Sequence, residues 1–285
     1  MNRTRLAAAF LVIQLFRPAF AAASGHGPLF GLATPTLGRG GWQLDQAWLV
    51  RVGDQPGTEE QTLRTMISFG ITEDLQVSGS LPINLITPIY MPRGRFAASM
   101  SPARELETSI AWRIHKRSAG SSRFESTLGG GIALPLEQRR GDGMYAAPSI
   151  HMAIVSGYAS RAHYFWVGGG YQHHADRQGD RMGHVAYYTA VYGFRPPALR
   201  LDYPRPDLRF FVEAVGEHTA RAQHHGFEMP ASGGTALLVG PSALLLYKAI
   251  GISGGVLFPA YQRTNFTPFE RFRANINATY FFWLD

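Results

Sequence analysis

Apolar and polar residues alternate along most of the chain after Trp42, in segments of about ten residues that are separated by polar breaks. A period of two places alternate side chains on opposite faces of a β-strand. Segments of this length match tilted strands that cross a bilayer. The pattern predicts twelve strands, an even number that is typical of bacterial single-chain barrels. The predicted strands are 42–52, 61–71, 75–82, 104–114, 123–134, 145–156, 162–172, 183–194, 208–218, 234–247, 250–258 and 270–282.

The last of these segments, 270–282, shows the alternation clearly. Phe272 and Ile276 fall on one face, whereas Arg273 and Asn275 fall on the other. The same pattern with two distinct faces appears in 61–71, 104–114 and 208–218. We expect the apolar face to contact outer-membrane lipid and the polar face to enclose a lumen.

A soluble β-sandwich or a lipocalin-like barrel would show the same alternation, but with the apolar face buried. Aromatic residues near the ends of the predicted strands favour the membrane, because such residues form girdles at the two interfaces. These residues are Trp42, Trp48, Trp112, Tyr158, Tyr247, Tyr280 and Trp283. We therefore predict an all-β fold, namely a transmembrane antiparallel up-and-down β-barrel of about 12 strands.

The breaks between the predicted strands alternate in length, as expected for short periplasmic turns and longer outer loops. Counted from a periplasmic N-terminus, the predicted outer loops are 53–60, 83–103, 135–144, 173–182, 219–233 and 259–269. The predicted inner turns are 72–74, 115–122, 157–161, 195–207 and 248–249.

The N-terminus has the composition of an export signal. Arg3 and Arg5 precede an apolar run at 6–16, and three alanines offer a small-residue cleavage site before Ser24. We expect residues 1–23 to be a signal peptide that is removed on export to the outer membrane of a Gram-negative bacterium.

The rest of the chain divides into a short segment and the barrel. Residues 24–41 are rich in Gly and Pro and include Leu29, Phe30 and Leu32. We expect this segment to lie in the periplasm or in the lumen, where it would plug a narrow pore. Residues 42–285 are expected to form the barrel.

Composition excludes several classes of function. The chain has no Cys, so a disulfide, a Cys-ligated metal and a thiol nucleophile are excluded. The net charge is +7, and part of it lies in the expected signal peptide, which leaves too little to indicate a nucleic-acid partner. After the N-terminus there is no run of about 18 apolar residues, so spanning helices are excluded. No cofactor is expected.

Four stretches carry a family resemblance: GHGPLFGLATPTLGRGGWQLD at 25–45, FGITEDLQVSGSLP at 69–82, FRPPALRLDYPRPD at 194–207 and GGVLFPAYQR at 254–263. Together they resemble a family of Gram-negative outer-membrane β-barrel transporters that is named after the meta-pathway of phenol degradation. The resemblance implies uptake of aromatic or other hydrophobic compounds. It supplies no catalytic residues. Outer-membrane barrels commonly end on an aromatic residue that the barrel assembly machinery reads, whereas Leu284 and Asp285 follow Trp283 here.

Charged residues on the polar faces can be placed by height from the direction of each strand. Arg51, Arg64, Arg271 and Arg273 fall near the outer mouth, on strands that barrel closure makes neighbours, which predicts a basic wall in the upper lumen. The predicted lumenal acids are Glu105, Glu107, Glu213 and Glu217, and the predicted lower group is Arg113, Arg123 and Glu125.

Two interpretations of these charges remain open. They could form a constriction with a transverse field, which would favour carboxylated or phenolate solutes on the arginine side. Alternatively, they could pair with each other and brace a narrow lumen. Barrels of about eight strands have filled interiors and those of about 16–18 strands hold aqueous channels, so twelve strands are compatible with either.

Histidines flank two predicted outer loops and raise the question of metal capture. They are His173, His174 and His184 around one loop and His218, His224 and His225 around the next, with Asp176 and Asp180 between them. Neutral imidazoles in adjacent loops could bind Zn, Cu or Ni. No fixed ligand spacing such as HExxH is present, so solvated loop histidines are the alternative.

An enzyme is not expected. Ser149 with His151 and Ser160 with His163 are close in sequence, but neither pair lies in a recognisable motif and there is no GxSxG elbow. The sequence instead favours a porin-like barrel for passive passage of small, aromatic or hydrophobic solutes. The alternative is a closed structural or surface-binding barrel, with metal capture or a barrel lipase as its activity.

Overall fold

The structure, a computed structural model, describes residues 27–87, 98, 105–140, 143–199, 205–265 and 269–284. The strands are β1 (Gly41–Gly53), β2 (Glu60–Gly70), β3 (Leu75–Ile86), β4 (Glu105–Ala119), β5 (Ser122–Pro135), β6 (Ser149–Ala159), β7 (His163–His174), β8 (Val185–Phe194), β9 (Asp207–Thr219), β10 (Gln223–His224), β11 (Phe227–Glu228), β12 (Gly234–Tyr247), β13 (Ile250–Thr264) and β14 (Glu270–Trp283). A short 3₁₀ helix spans Pro197–Leu199. Within these ranges, no helix is both long and apolar enough to cross a membrane.

Twelve of the strands close into an antiparallel barrel, which confirms the predicted fold class. Strands β1 and β14 close the ring, with Gly41 opposite Trp283 at one end and Arg51 opposite Arg273 near the other. Strands β9 and β12 pair directly, because β10 and β11 form a separate two-stranded sheet in the loop between them. The sequence pattern did not predict this small sheet.

The two faces of the wall are oriented as a membrane protein requires. The side chains of Ile276 and Trp112 are 54% and 53% exposed on the outside, whereas Glu107, Glu213 and Arg273 are buried inside. Apolar residues therefore form the exterior and charged residues the interior. A soluble shell with a buried apolar face is excluded.

The two ends of the barrel differ in their connections. Short turns at 71–74, 120–121, 160–162 and 248–249 define what we call the turn end, which is the periplasmic end in barrels of this type. The longer connections at the opposite end, the loop end, include the segment that carries β10 and β11. Several predicted boundaries were wrong, because backbone pairing continues beyond the apolar alternation. Strand β4 runs on to Ala119, which pairs with Ser122, and β3 and β13 extend to Ile86 and Thr264.

Candidate functional site

The lumen holds residues 27–40, which we call the lumenal segment. Phe30 is completely buried and belongs to an apolar cluster with Leu29, Leu49, Val215 and other inward-facing residues. A second apolar cluster surrounds Leu32. These clusters pack the segment against the inner face of the wall in the middle of the barrel.

Glu213 anchors the N-terminal part of the lumenal segment, at residues 29–31. Three successive backbone N–H groups donate to its carboxylate, from Leu29 at 2.9 Å, from Phe30 at 2.8 Å and from Gly31 at 2.8 Å. The Ser242 hydroxyl donates to the same carboxylate. Within the part of the chain that the structure describes, no basic side chain pairs with Glu213. Oriented backbone N–H groups therefore provide the partial positive charge that this buried anion needs.

The close fit at Gly31 explains the residue type there. A Cβ atom added to Gly31 would lie 2.5 Å from Val191 Cγ2, which is closer than van der Waals contact allows. Any larger residue at position 31 would push the segment away from the wall.

The part of the segment that lies closer to β1 is held by side chains near the turn end. Trp166 Nε1 donates to Thr34 Oγ1 at 3.1 Å, and the Thr127 hydroxyl donates to the Thr34 carbonyl at 2.6 Å. The Leu37 N–H donates to Gln76 Oε1 at 2.9 Å. The segment therefore enters the lumen from the turn end, where it continues directly into β1.

Ala98 meets the segment from the opposite side. This residue belongs to the connection between β3 and β4 at the loop end, and it is buried. Its N–H donates to the Phe30 carbonyl at 2.8 Å. The segment is thus contacted from both ends of the barrel.

Two cavities remain on either side of the segment, and Pro35 lines both of them. The central cavity has a volume of about 270 Å³ and is lined by Asp45 and Glu107, with no Arg or Lys among the described residues around it. The second cavity, which we call the basic vestibule, opens at the turn end and has a volume of about 450 Å³. It is lined by four arginines: Arg123, Arg161, Arg195 and Arg209.

Three of the four arginines of the predicted basic wall are buried near the loop end, and each pairs with glutamate. Arg51 lies 3.8 Å from Glu60 and 3.7 Å from Glu270. Arg273 Nη1 lies 2.6 Å from Glu217 Oε1, and its Nε lies 2.5 Å from Glu270 Oε1. These carboxylates neutralise the arginines of the predicted basic wall. At this height the contacts therefore support internal bracing rather than an open basic surface.

Arg64 and Arg271 differ from each other in placement. Arg64 is buried and lies 3.7 Å from Glu107. Arg271 is exposed, so its assignment to the lumen was wrong. The register between β1 and β14 shifts at Gly53, which lies opposite Glu270. This shift turns Glu270, and not Arg271, toward the interior.

The other predicted lumenal charges also lie inside. Glu105 is buried at the loop end, and Glu107 lies 3.4 Å from His151 Nε2. The structure brings the lower group together, with Glu125 at 3.1 Å from Arg113 and 3.3 Å from Arg123.

The sequence reasoning missed Glu60, Glu270 and Asp45. Glu60 lies two residues before Thr62, on the same face as Arg64, so a predicted strand that began one residue earlier would have placed Glu60 in the lumen. Asp45 likewise shares its face with Arg51. The inward orientation of Glu270 could not be predicted from the alternation, because it depends on the register shift between β1 and β14.

The six predicted metal-binding histidines do not converge on one site. His224 Nδ1 lies 2.8 Å from Asp180 Oδ1, and these atoms and a ring nitrogen of His225 lie within 4.8 Å of one another. The remaining four are elsewhere: the rings of His173 and His184 stack at 4.4 Å, His218 contacts Thr235, and His174 is buried in β7.

Asp180 joins three connections at the loop end. Its carboxylate accepts the backbone N–H groups of His225 at 2.9 Å and Tyr145 at 2.8 Å, in addition to the contact with His224. These backbone N–H groups lower the pKa of Asp180 to about 2. The carboxylate is therefore ionised at neutral pH and acts as a fixed link between the loops.

Neither Ser–His pair forms the contact that a nucleophile and its base require. The Ser149 hydroxyl accepts a hydrogen bond from Gln172 Nε2 at 2.8 Å. The Ser160 hydroxyl donates to the His163 backbone carbonyl, and the His163 ring contacts the Tyr192 hydroxyl.

No family model matches the chain, and no curated protein matches it. Solved structures do match. The COG4313 outer membrane channel from Pseudomonas putida F1 has a TM-score of 0.62 and 10% identity, over 87% of this chain and 98% of that chain. The NanC porin has a TM-score of 0.50 and 11% identity, over 83% of this chain and 98% of that chain. At these identities the likeness shows a shared fold, that of outer-membrane channel barrels.

Proposed function

We propose that the protein is an outer-membrane channel for passive passage of small solutes, in a Gram-negative bacterium, and that the lumenal segment closes it. The observation that carries the proposal is the docking of residues 29–31 on Glu213 through three backbone hydrogen bonds.

The segment is better suited to move than the wall. Residues 27–40 belong to no strand, and their contacts inside the barrel run mainly to side chains. The wall is fixed by backbone pairing all round and by buried ion pairs such as Arg273 with Glu217. Displacement of the segment therefore breaks hydrogen bonds to side chains of the wall but no strand pairing, and it leaves the barrel intact.

The solutes we propose are small aromatic or other hydrophobic compounds. The resemblance to the phenol-degradation transporters points to this class. The apolar surface that Leu29, Phe30 and Leu32 cover would line the passage once the segment left.

A disulfide lock tests the closing role of the segment. The chain has no native Cys, and a Cβ at Gly31 would lie 2.5 Å from Val191 Cγ2, so Gly31→Cys with Val191→Cys is placed to form a disulfide between the lumenal segment and strand β8. We expect no conductance in planar bilayers when this double variant is oxidised and conductance after reduction. Each single variant serves as the matched control and should not respond to reduction.

Deletion of residues 27–40 completes the test. We expect steady conductance, together with swelling of liposomes in aromatic acids and neutral aromatics that exceeds swelling in sugars. A deletion variant that folds but conducts no current would refute the channel and favour the closed structural or surface-binding barrel.

A further inference from the structure

Asp180 and two histidines of the small β10–β11 sheet form a cluster at the loop end. Each of the three residues offers one ligand atom, and these atoms lie within 4.8 Å of one another. Two imidazole nitrogens and one carboxylate oxygen are a ligand set that suits Zn²⁺. We propose that Asp180, His224 and His225, which we call the Asp–His cluster, bind a zinc ion.

Two tight turns hold the Asp–His cluster in place. One turn has Gln178 and Gly179 at its centre and ends at Asp180. The other turn joins β10 to β11 and has His225 and Gly226 at its centre. All four central residues have a positive φ, as a type I′ turn requires. The positions of the ligands therefore follow from a defined backbone geometry.

The two turns are joined directly through their backbones. The Gly226 N–H donates to the Gly179 carbonyl at 2.8 Å, and Arg181 and Gln223 exchange two backbone hydrogen bonds at 3.0 and 2.8 Å. A Cβ atom added to Gly179 would lie 2.8 Å from the Gly226 nitrogen, so the backbones approach closely. Paired backbone on both sides distinguishes the Asp–His cluster from solvated loop histidines. Little ordering is needed when an ion binds to ligands that are already held in this way.

The hydrogen bond inside the cluster marks where the ion would lie. His224 Nδ1 lies 2.8 Å from Asp180 Oδ1. Two ligands at about 2.0–2.1 Å from a tetrahedral Zn²⁺ lie about 3.4 Å apart, so an ion that replaces this hydrogen bond opens the contact by only about 0.6 Å. The ring proton of His224 is then carried on Nε2, as in the other tautomer of neutral imidazole. The backbone N–H groups of Tyr145 and His225 continue to hold the carboxylate in position.

The cluster is accessible from outside the barrel. His225 is exposed and His224 is half-buried, whereas Asp180 is buried. Three protein ligands leave the fourth position of Zn²⁺ to a water molecule. A bound ion would tie the segment that carries β10 and β11 to the connection between β7 and β8. The site lies in the loops and not in the lumen, so it goes beyond the proposed channel and does not depend on it.

Calorimetric titration of the folded full-length protein in detergent micelles tests the site, with Zn²⁺ as the probe and no polyhistidine tag on the chain. We expect one bound ion per chain, and absence of binding would overturn the proposal. His224→Gln keeps a group that can donate to Asp180, and His225→Asn keeps a residue type that tolerates a positive φ, so both variants should preserve the turns. Each should weaken Zn²⁺ binding by at least about tenfold, because loss of even an outer partner of a ligand costs about that much.

The matched control is His218→Ala. This variant removes an exposed imidazole at the loop end, which contacts Thr235 outside the Asp–His cluster, and it should leave Zn²⁺ affinity unchanged. Equal effects of His218→Ala and His224→Gln would overturn the site. Equal affinities for Zn²⁺ and for Mg²⁺, which prefers oxygen ligands, would also overturn it.

Electron paramagnetic resonance of bound Cu²⁺ identifies the ligands, because Cu²⁺ also binds imidazole and its spectrum reports the coordinated nitrogens. We expect two imidazole nitrogens in the wild type and one in His224→Gln or His225→Asn. A merely structural role of these histidines would not produce this change, and the same spectrum in all three proteins would contradict the assignment. Neither measurement depends on whether the barrel conducts, so failure of the zinc site and failure of the channel remain distinguishable.

Discussion

Glu213→Gln is the substitution that most directly tests how the lumen is closed. Glu213 is completely buried and accepts three backbone N–H groups from the lumenal segment. An amide has one acceptor oxygen and one NH₂ group. The best arrangement keeps the oxygen toward the N–H groups of Phe30 and Gly31 and turns the NH₂ group toward Leu29 and the Ser242 hydroxyl.

The magnitude follows from these contacts. The Leu29 N–H loses its acceptor, and a buried donor left without a partner costs about 1–3 kcal/mol. The two remaining bonds change from charged to neutral acceptors, which weakens them further. The lower desolvation cost of a neutral amide offsets part of this loss. We expect a net cost of about 2 kcal/mol to docking, which raises the ratio of undocked to docked segment about thirtyfold.

Single-channel recording measures the open probability, from which the ratio of undocked to docked segment is obtained. The matched control is Ser242→Ala, which removes a donor to Glu213 but leaves the carboxylate and its three bonds to the segment. It should change the open probability much less than Glu213→Gln does. The reasoning fails if Glu213→Gln stays as closed as the wild type while deletion of residues 27–40 opens the pore, because closure would then not depend on this anchor.

Three further predictions concern the lumen wall and the loop end. Arg273→Ala removes the ion-pair partner of the buried Glu217 and leaves Glu270 with Arg51, and it should lower the free energy of unfolding by about 3–5 kcal/mol, measured by urea titration in liposomes; an unchanged midpoint would contradict this. Gly31→Ala should raise conductance because its methyl group would meet Val191, and adding Val191→Ala should restore closure; conductance that stays high in the double variant would refute the steric cause. The pKa of Asp180 is lowered to about 2 from 3.8, so its link between the loops should persist down to about pH 4 and be lost between about pH 4 and 2, as measured by the mobility of a spin label at Phe227→Cys. Asp180→Asn should make that label mobile throughout this range, and equal mobility in both proteins at pH 7 would contradict the link.

The faces of the strands could be predicted because side chains alternate strictly along a β-strand. Arg273 and Ile276 were placed on opposite sides by this rule alone, and the structure agrees. The same rule failed at Arg271, where the change of register near Gly53 turns Glu270 inward. A bulge depends on pairing with the neighbouring strand and leaves no mark in the alternation of one segment.

The role of Glu213 as an anchor could not be predicted. The sequence placed this residue on a polar face and indicated that residues 24–41 were apolar enough to enter a lumen. The partners of Glu213, however, are main-chain N–H groups of Leu29, Phe30 and Gly31, and every residue except proline carries such a group. Only the three-dimensional path of the segment reveals which of them meet the carboxylate.

The lumenal segment is covalently continuous with β1, the strand that seals the ring against β14. A displaced lumenal segment therefore remains tethered to β1 by a few residues at the periplasmic end of the barrel. Short tethers of this kind give effective concentrations of about millimolar, so reclosure should be unimolecular and independent of how densely the protein populates the membrane. A free peptide with the sequence of residues 27–40 would have to reach a comparable concentration to shut a barrel from which the segment had been removed.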